Sequence, residues 1–256
     1  MENHIIDYGG NIVSNLDLIM KKTTFFSKKP YTYFIAKLQI NDVLEIKNLK
    51  HGSIYLLKKD ANTKINIKNT EIQQMDIGDS IQFQDREINI SLLSGSVTFL
   101  VAGTEGMIDC NYEKLILNKN KDLYKVDKPW GYEIWINGEH PTYAFKKIYI
   151  KSGNKTSLQY HLYKQETNVL FEGRANLHFK NIKNIKNDDV TASEIDAVAL
   201  GSISSIDVKP PTLHRIEALT DIVLYETSTP HLDDVIRVND DTNRPDGRIV
   251  KEHKNE

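Results

Sequence analysis

Short runs rich in Ile, Val, Tyr, Phe and Thr recur along the chain every eight to twelve residues, broken by turns of Gly, Asn, Asp and Lys. Six stand out: YTYFIAKLQI (31–40), SIYLLKKD (53–60), SIQFQD (80–85), SVTFLVAG (96–103), YAFKKIYI (143–150) and TDIVLYET (220–227). Side chains alternate across a strand, so short β-branched and aromatic runs at this regular spacing predict the strands of β-sandwiches or barrels. Sustained helical periodicity is scarce. The expected architecture is mainly antiparallel all-β, with at most a few short helices.

A polar stretch, DCNYEKLILNKNKDLYKVD (109–127), separates two strand blocks of similar length. Its position predicts a tandem of two β-barrels, one over residues 1–108 and one over 128–256, with 109–127 as linker. Each block opens on a strand pair and passes a Gly-marked turn, MDIGDSIQF at Gly78 and Asp79 and VALGSISSI at Gly201, which amounts to a weak internal repeat. NIKNIKNDDVTASE (181–194) reads as a polar hairpin loop or insertion, and the charged tail from His231 onward, taken alone, as a frayed end.

Composition narrows the function classes. A chain of 256 residues with 39% hydrophobic content can bury real cores. Thirty-three Lys and Arg against thirty-five Asp and Glu give a net charge of −2, so no global field favours nucleic acid or an anionic membrane. The one cysteine, Cys110, cannot form an internal disulfide or a multi-thiolate metal site; it fits a reducing cytoplasmic compartment, as a small buried side chain near a domain junction. MENHIIDYGG lacks a basic segment followed by an apolar run, and no stretch approaches the ~18 apolar residues of a membrane span. Neither export nor membrane insertion is expected.

The chemistry concentrates in GNKTSLQYHLYKQETNVLFEG (153–173). Alternation puts Gln159 and His161 on one strand face, Glu166 opens the next strand after a tight turn, and His214 is the candidate from a distant strand. Two imidazoles, an amide oxygen and a carboxylate make a mixed shell suited to zinc, iron, manganese, nickel or cobalt, without choosing among them. A lone Gln-x-His pair is more often surface decoration or a satisfied polar pair. Here the string runs Gly153, five residues, Gln159, one, His161, four, Glu166, six, Gly173. That spacing resembles the first motif of the cupin superfamily, with Gln in place of its first His. KPPTLHRIEA (209–218) resembles the second motif, with Pro210 and Pro211 altering the usual Pro-x-Gly. The resemblance implies two cupin-type jelly-roll barrels and one divalent metal ion held by Gln159, His161, Glu166 and His214. Only His4 and His51 fall in the first hundred residues, neither at ligand spacing, so the first barrel is expected to be metal-free and to serve dimerisation or cover the active barrel.

Four blocks narrow the likeness: DKPWGYEIW (127–135), YAFKKIYIKSGNKTSLQYH (143–161), LHRIEA (213–218) and DDVIRVNDD (233–241). In order and spacing they resemble the C-terminal cupin domain of type II mannose-6-phosphate isomerases. SLQYHLYK (157–164) is similar to the Ser-x-Gln-x-His-x-x-Lys segment of the type I enzymes, whose Gln and His bind zinc. The resemblance implies a metal-dependent sugar-phosphate isomerase, zinc first among the metals, working as a homodimer on a small sugar substrate in cell-surface carbohydrate (capsule or polysaccharide) biosynthesis. The chain departs from the type II pattern at Leu162, Tyr163, Lys164, Glu166, Thr167 and Asn168, where that family has a His-rich run, and at DDTNR (240–244).

An aldose–ketose isomerase removes a proton alpha to a carbonyl, holds a cis-enediolate and returns the proton to the neighbouring carbon, which calls for an electrophile and a tuned base. Base candidates are Lys147, Lys164, Glu133 and Glu226. Lys164 is favoured for phosphate or proton handling by its place in the matched segment, and Lys147 lies on a strand beside the site. Arg237 suits an anionic group through its fork. Ser157, Arg215, Tyr132 and Glu133 are the expected substrate contacts. Alternation turns Arg215 away from the ligand face unless the strand twists, leaving a pair with Glu217 or a tail carboxylate as the alternative. Trp130 and Tyr132 serve as buried aromatic anchors or as a sugar-stacking surface. A non-catalytic sugar- or metal-binding cupin, or an epimerase on the same barrel, remains open.

Overall fold

A computed structural model describes residues 4–7, 11–14, 30–47, 49–72, 74–105, 115–138, 140–182, 195–249 and 251. In chain order the strands are β1 (His4–Asp7), β2 (Asn11–Ser14), β3 (Thr32–Leu38), β4 (Val43–Ile46), β5 (His51–Lys59), β6 (Lys64–Ile67), β7 (Ser80–Gln84), β8 (Ile88–Ser94), β9 (Val97–Thr104) and β10 (Leu115–Asn118). They continue as β11 (Tyr124–Lys128), β12 (Gly131–Asn137), β13 (Ala144–Ile150), β14 (Leu158–Tyr160), β15 (Glu166–Glu172), β16 (Arg174–Asn181), β17 (Asp196–Gly201), β18 (Ser204–Val208), β19 (Thr212–Ala218), β20 (Ile222–Ser228) and β21 (Ile236–Asn239). The helical content of the described residues includes a 3-10 turn at Asn120–Asp122. All six sequence runs named above become strands. The polar stretch 109–127 is not uniformly a connector: its apolar Leu115, Ile116 and Leu117 form β10, which pairs with β7. Cys110 and most of the 181–194 loop lie outside the described residues.

The chain divides into two compact units. The first comprises Asp17–Tyr124 and Ile136–Tyr143; the second comprises Met1–Leu16, Lys125–Trp135 and Ala144–Glu256. In the first, a five-stranded antiparallel sheet ordered β10-β7-β5-β9-β3 accompanies a three-stranded sheet ordered β4-β8-β6. The period of two explains the packing. In β6 and β8, Ile65, Ile67, Ile88, Ile90 and Leu92 turn inward and join Ile54, Leu56, Ile81, Phe83 and Phe99 in one core.

In the second unit an eight-stranded sheet ordered β11-β12-β13-β20-β15-β18-β1-β2 faces a five-stranded sheet ordered β17-β16-β19-β14-β21. β1 pairs with β18 in parallel, whereas β13, β20, β15 and β18 pair antiparallel in one sheet and β17, β16, β19, β14 and β21 in the other. Ile150, Leu170, Ile206, Ile222 and Leu224 of the larger sheet share a core with Leu177, Leu200, Ile216 and Ala218 of the smaller. Both units therefore have the two-sheet jelly-roll organisation of the cupin fold. No described helix is long and apolar enough to cross a membrane.

Candidate metal centre

The apolar core of the second unit gives way at one end to a cavity of about 110 Å³ between its sheets. Residues two apart on the inward strand faces line it: Glu133 and Trp135 on β12, Lys146 and Ile148 on β13, Glu166 and Asn168 on β15, His214 and Ile216 on β19, Leu224 and Glu226 on β20. Ser157 and Gln159 add a further pair at β14. That strand is short, but its register is informative. Leu158 and Tyr160 drop into a small core with Leu213 and Ile182, while Gln159, directly opposite His214 on one side and Arg237 on the other, turns to the cavity.

His161, Glu166 and His214 are buried and offer ligand atoms within 4.8 Å of one another. His161 Nδ1 is bonded to the backbone carbonyl of Asp234, and His214 Nδ1 lies 3.0 Å from the carbonyl of Thr212. A carbonyl only accepts, so each Nδ1 carries a hydrogen and, in the neutral rings, each Nε2 keeps a lone pair. Those lone pairs face the same carboxylate. His214 Nε2 is 3.2 Å from Glu166 Oε1, and His161 Nε2 is 3.4 Å from Oε2. His161 Nε2 is buried without a hydrogen-bond partner. Lone pairs converging on an anion in a desolvated site repel unless a cation lies between them, so the donor set fits a divalent ion.

A second cation is built into the chain. Lys164 Nζ lies 2.5 Å from Glu166 Oε2 and 2.8 Å from Glu226 Oε1, all three side chains being buried. Burial alone would lower the lysine pKa, but the two carboxylates outweigh it and raise it above its ordinary value. Glu166 is displaced the other way: burial pushes it up, and the Lys164 ammonium beside it holds it well below the usual carboxylate range. Asn168 Nδ2 donates to Glu166 Oε1 at 3.0 Å, and Ser228 Oγ to Glu226 at 3.0 Å. Glu133 sits apart, 3.5 Å from Lys146 and accepting from Trp135 Nε1 at 3.1 Å. Burial raises its pKa, yet Lys146, Lys128 and the indole bring it down to about 2.

Of the residues singled out in the sequence, Gln159, Glu166, His214, Lys164, Ser157, Glu133 and Arg237 line one cavity, and His161 lies against Glu166 and His214 behind it. Gln159 Oε1 accepts from Ser157 Oγ at 2.6 Å. Three are elsewhere. Lys147 has the opposite parity to Lys146, and burial lowers its pKa, with Glu172 opposing that shift. Arg215 faces away, as alternation requires, binding the carbonyl of Thr156 and tail residue Asp241, not Glu217. Tyr132 stacks on Tyr149 with centroids 5.0 Å apart, outside the cavity lining. Arg237 takes part in holding the tail, through the carbonyls of Pro245 and Gly247.

Sequence reasoning missed Lys146, Asp234, Arg244 and Arg248. The parity of Ile148 and Ile150 was a signal for Lys146, blurred because Phe145 and Tyr149 give Lys147 an equally apolar face. The tail carried no such signal. Its described residues form β21 and supply Val235, Arg237, Arg244 and Arg248 to the cavity wall, where a frayed end was expected of the tail taken alone.

The fold and this site define a chain of two cupin-fold units with a candidate His/Glu metal centre in the second. Among solved structures, oxalate decarboxylase from Lactobacillus farciminis in complex with formate superposes with a TM-score of 0.58 at 12% identity, covering 81% of this chain and 79% of that one. AerE from Microcystis aeruginosa matches with 0.56 at 10% identity, covering 80% and 90% of the two chains. YlbA from E. coli matches with 0.56 at 6%, covering 79% and 78%. At such identities the likeness establishes the cupin fold alone. No family model matches the sequence, and no curated protein matches it significantly.

Proposed function

We propose that the second unit is a metal-dependent isomerase of a sugar phosphate or related activated sugar, acting in the cytoplasm as a homodimer and serving cell-surface carbohydrate synthesis. The observation that carries this reading is a buried His161, Glu166 and His214 cluster beside a cavity whose wall is mainly cationic. Zinc is the first ion to test, because two imidazoles and a carboxylate suit it, and Gln159 is the candidate fourth ligand. Such an ion, when bound, would stabilise negative charge developing on adjacent substrate oxygens.

The chain's own groups supply the rest. Lys128, Lys146, Lys164, Arg237, Arg244 and Arg248 line the cavity against the carboxylates of Glu133, Glu166 and Glu226. Arg244 is paired from behind with Asp240 and Arg248 with Asp233, which reduces the positive excess without reversing it. A cavity of this sign attracts an anionic group such as a phosphate. Lys164, held protonated between two carboxylates, acts as a fixed cation and not as a base. Glu133, with its pKa brought down to about 2, accepts hydrogen bonds but binds a proton weakly at neutral pH. With Lys147 on another face, Glu226 is the carboxylate left to take the substrate proton from one carbon and return it to the next.

A second reading, a non-catalytic sugar- or metal-binding cupin, is favoured by one feature: Lys164 already occupies one side of the Glu166 carboxylate. Metal analysis of the purified protein, with His161→Ala and His214→Ala as comparisons, should give one ion per chain that both variants lose. Hexose, pentose and heptose phosphates incubated in deuterated water should then exchange hydrogen at C1 or C2. Exchange with inversion at one carbon and no aldose–ketose conversion would mean an epimerase; binding without exchange would support the second reading.

A further inference from the structure

The residues between His161 and Glu166 form no regular element, yet they fix the separation and direction of two of the four ligand candidates. Three successive backbone N–H groups of this turn converge on one side chain. Leu162 N donates to Asp234 Oδ1 at 3.0 Å, and Tyr163 N and Lys164 N donate to Oδ2 at 2.6 and 2.7 Å. The next, Gln165 N, goes to Thr229 Oγ1 at 3.1 Å. The backbone carbonyl of the same Asp234 accepts from His161 Nδ1. One residue, some seventy positions downstream, thereby holds the histidine ring, its tautomer and the path of the chain into Lys164 and Glu166.

We propose that Asp234 is the positioning residue of the metal centre: its carboxylate gathers the 162–164 turn and its carbonyl orients His161, so that the ligand atoms meet before any ion arrives. This rests on the metal reading given above. Three convergent N–H donors require an acceptor with two oxygens and a full charge. An asparagine of the same shape offers one oxygen and turns an NH2 group toward donors. Asp234→Asn therefore loosens the turn while keeping side-chain volume, and Asp234→Ala removes the anchor altogether. Asp241 is the natural control, since it belongs to the same tail but pairs with Arg215 at 3.2 Å, outside the cavity lining.

The experiment is a zinc affinity measurement by chelator competition on wild type, Asp234→Asn, Asp234→Ala and Asp241→Asn, with cobalt(II) absorption spectra of each and circular dichroism of the chelated proteins. The expected result is a loss of about ten- to hundred-fold in affinity and an altered cobalt spectrum for both Asp234 variants, with Asp241→Asn unchanged. If Asp234→Ala fails to fold, Asp234→Asn carries the measurement. Wild type that binds zinc tightly, with Asp234→Asn of equal affinity and identical cobalt spectrum, would overturn the assignment of Asp234. Wild type that binds neither ion overturns the metal reading and this role with it.

Discussion

At the scale of single residues, the charges in the cavity are coupled through burial. Glu133 shows how. Its folded pKa of about 2 lies below the ordinary 4.5, so its charged form is the one that Lys146, Lys128 and Trp135 favour. A depressed acid contributes stability that is fully present above about pH 4.5 and lost as pH falls toward 2; the contribution is on the order of 3 kcal/mol. Urea unfolding of wild type and Glu133→Gln between pH 6 and pH 3 should therefore show a wide gap in stability at pH 6 that narrows on acidification. A gap of constant size would mean that the carboxylate is not held by these lysines. The individual residue types were legible in the sequence: Gln159, His161, Glu166 and His214 follow from spacing and motif likeness. Their partners were not. Whether Lys146 or Lys147 faces inward is a one-residue question of register, and β13 is apolar on both sides, so the pattern gave no parity. That Lys164 lies between two glutamates depends on β15 pairing with β20, which sets Asn168 opposite Glu226.

At the scale of elements, the turns that deliver the ligands are more demanding than the strands. Gly173 closes the motif that begins at Gly153, and both have left-handed backbones, with φ of +89° and +78°. They differ in surroundings. A Cβ at Gly173 would lie 2.3 Å from the carbonyl oxygen of Asp221, whereas nothing lies within 4 Å of one at Gly153. Gly153→Ala should lower stability by about 1 kcal/mol, the conformational term alone. Gly173→Ala should lower it by several times that, because the backbone between β15 and β20 has to move; denaturant midpoints of the two variants test the order. Six strands were predictable from their alternation, and β10 was concealed inside a stretch whose charged neighbours made it look like a linker. β14 is only three residues long, too short for periodicity to register, yet it carries Gln159.

At the scale of the molecule, an ion held by side chains from separate strands would link its binding to the folding of the second unit. His161, Glu166 and His214 come from the end of β14, from β15 and from β19, in a unit assembled from three separate parts of the chain. An ion that binds only the folded arrangement stabilises it by mass action, about 2.7 kcal/mol at a free concentration one hundred times its dissociation constant. Calorimetry should therefore show a thermal transition that rises with zinc and falls with chelator, and Glu166→Gln should abolish that response. A transition indifferent to chelator in metal-loaded protein would separate the site from the fold.

The sequence by itself determined the all-β character, the cupin-like spacing and which side chains are candidate ligands, because alternation and short-range motif geometry are local properties. Only the tertiary structure decided that segment 1–16 joins the second unit and 136–143 the first, that Lys146 and not Lys147 faces the cavity, that Arg244 and Arg248 of the tail join its wall, and that Asp234 gathers the ligand turn. Those outcomes depend on which strands pair and in what register. Such pairings are settled by burial over long sequence separations, and no window along the chain contains both partners.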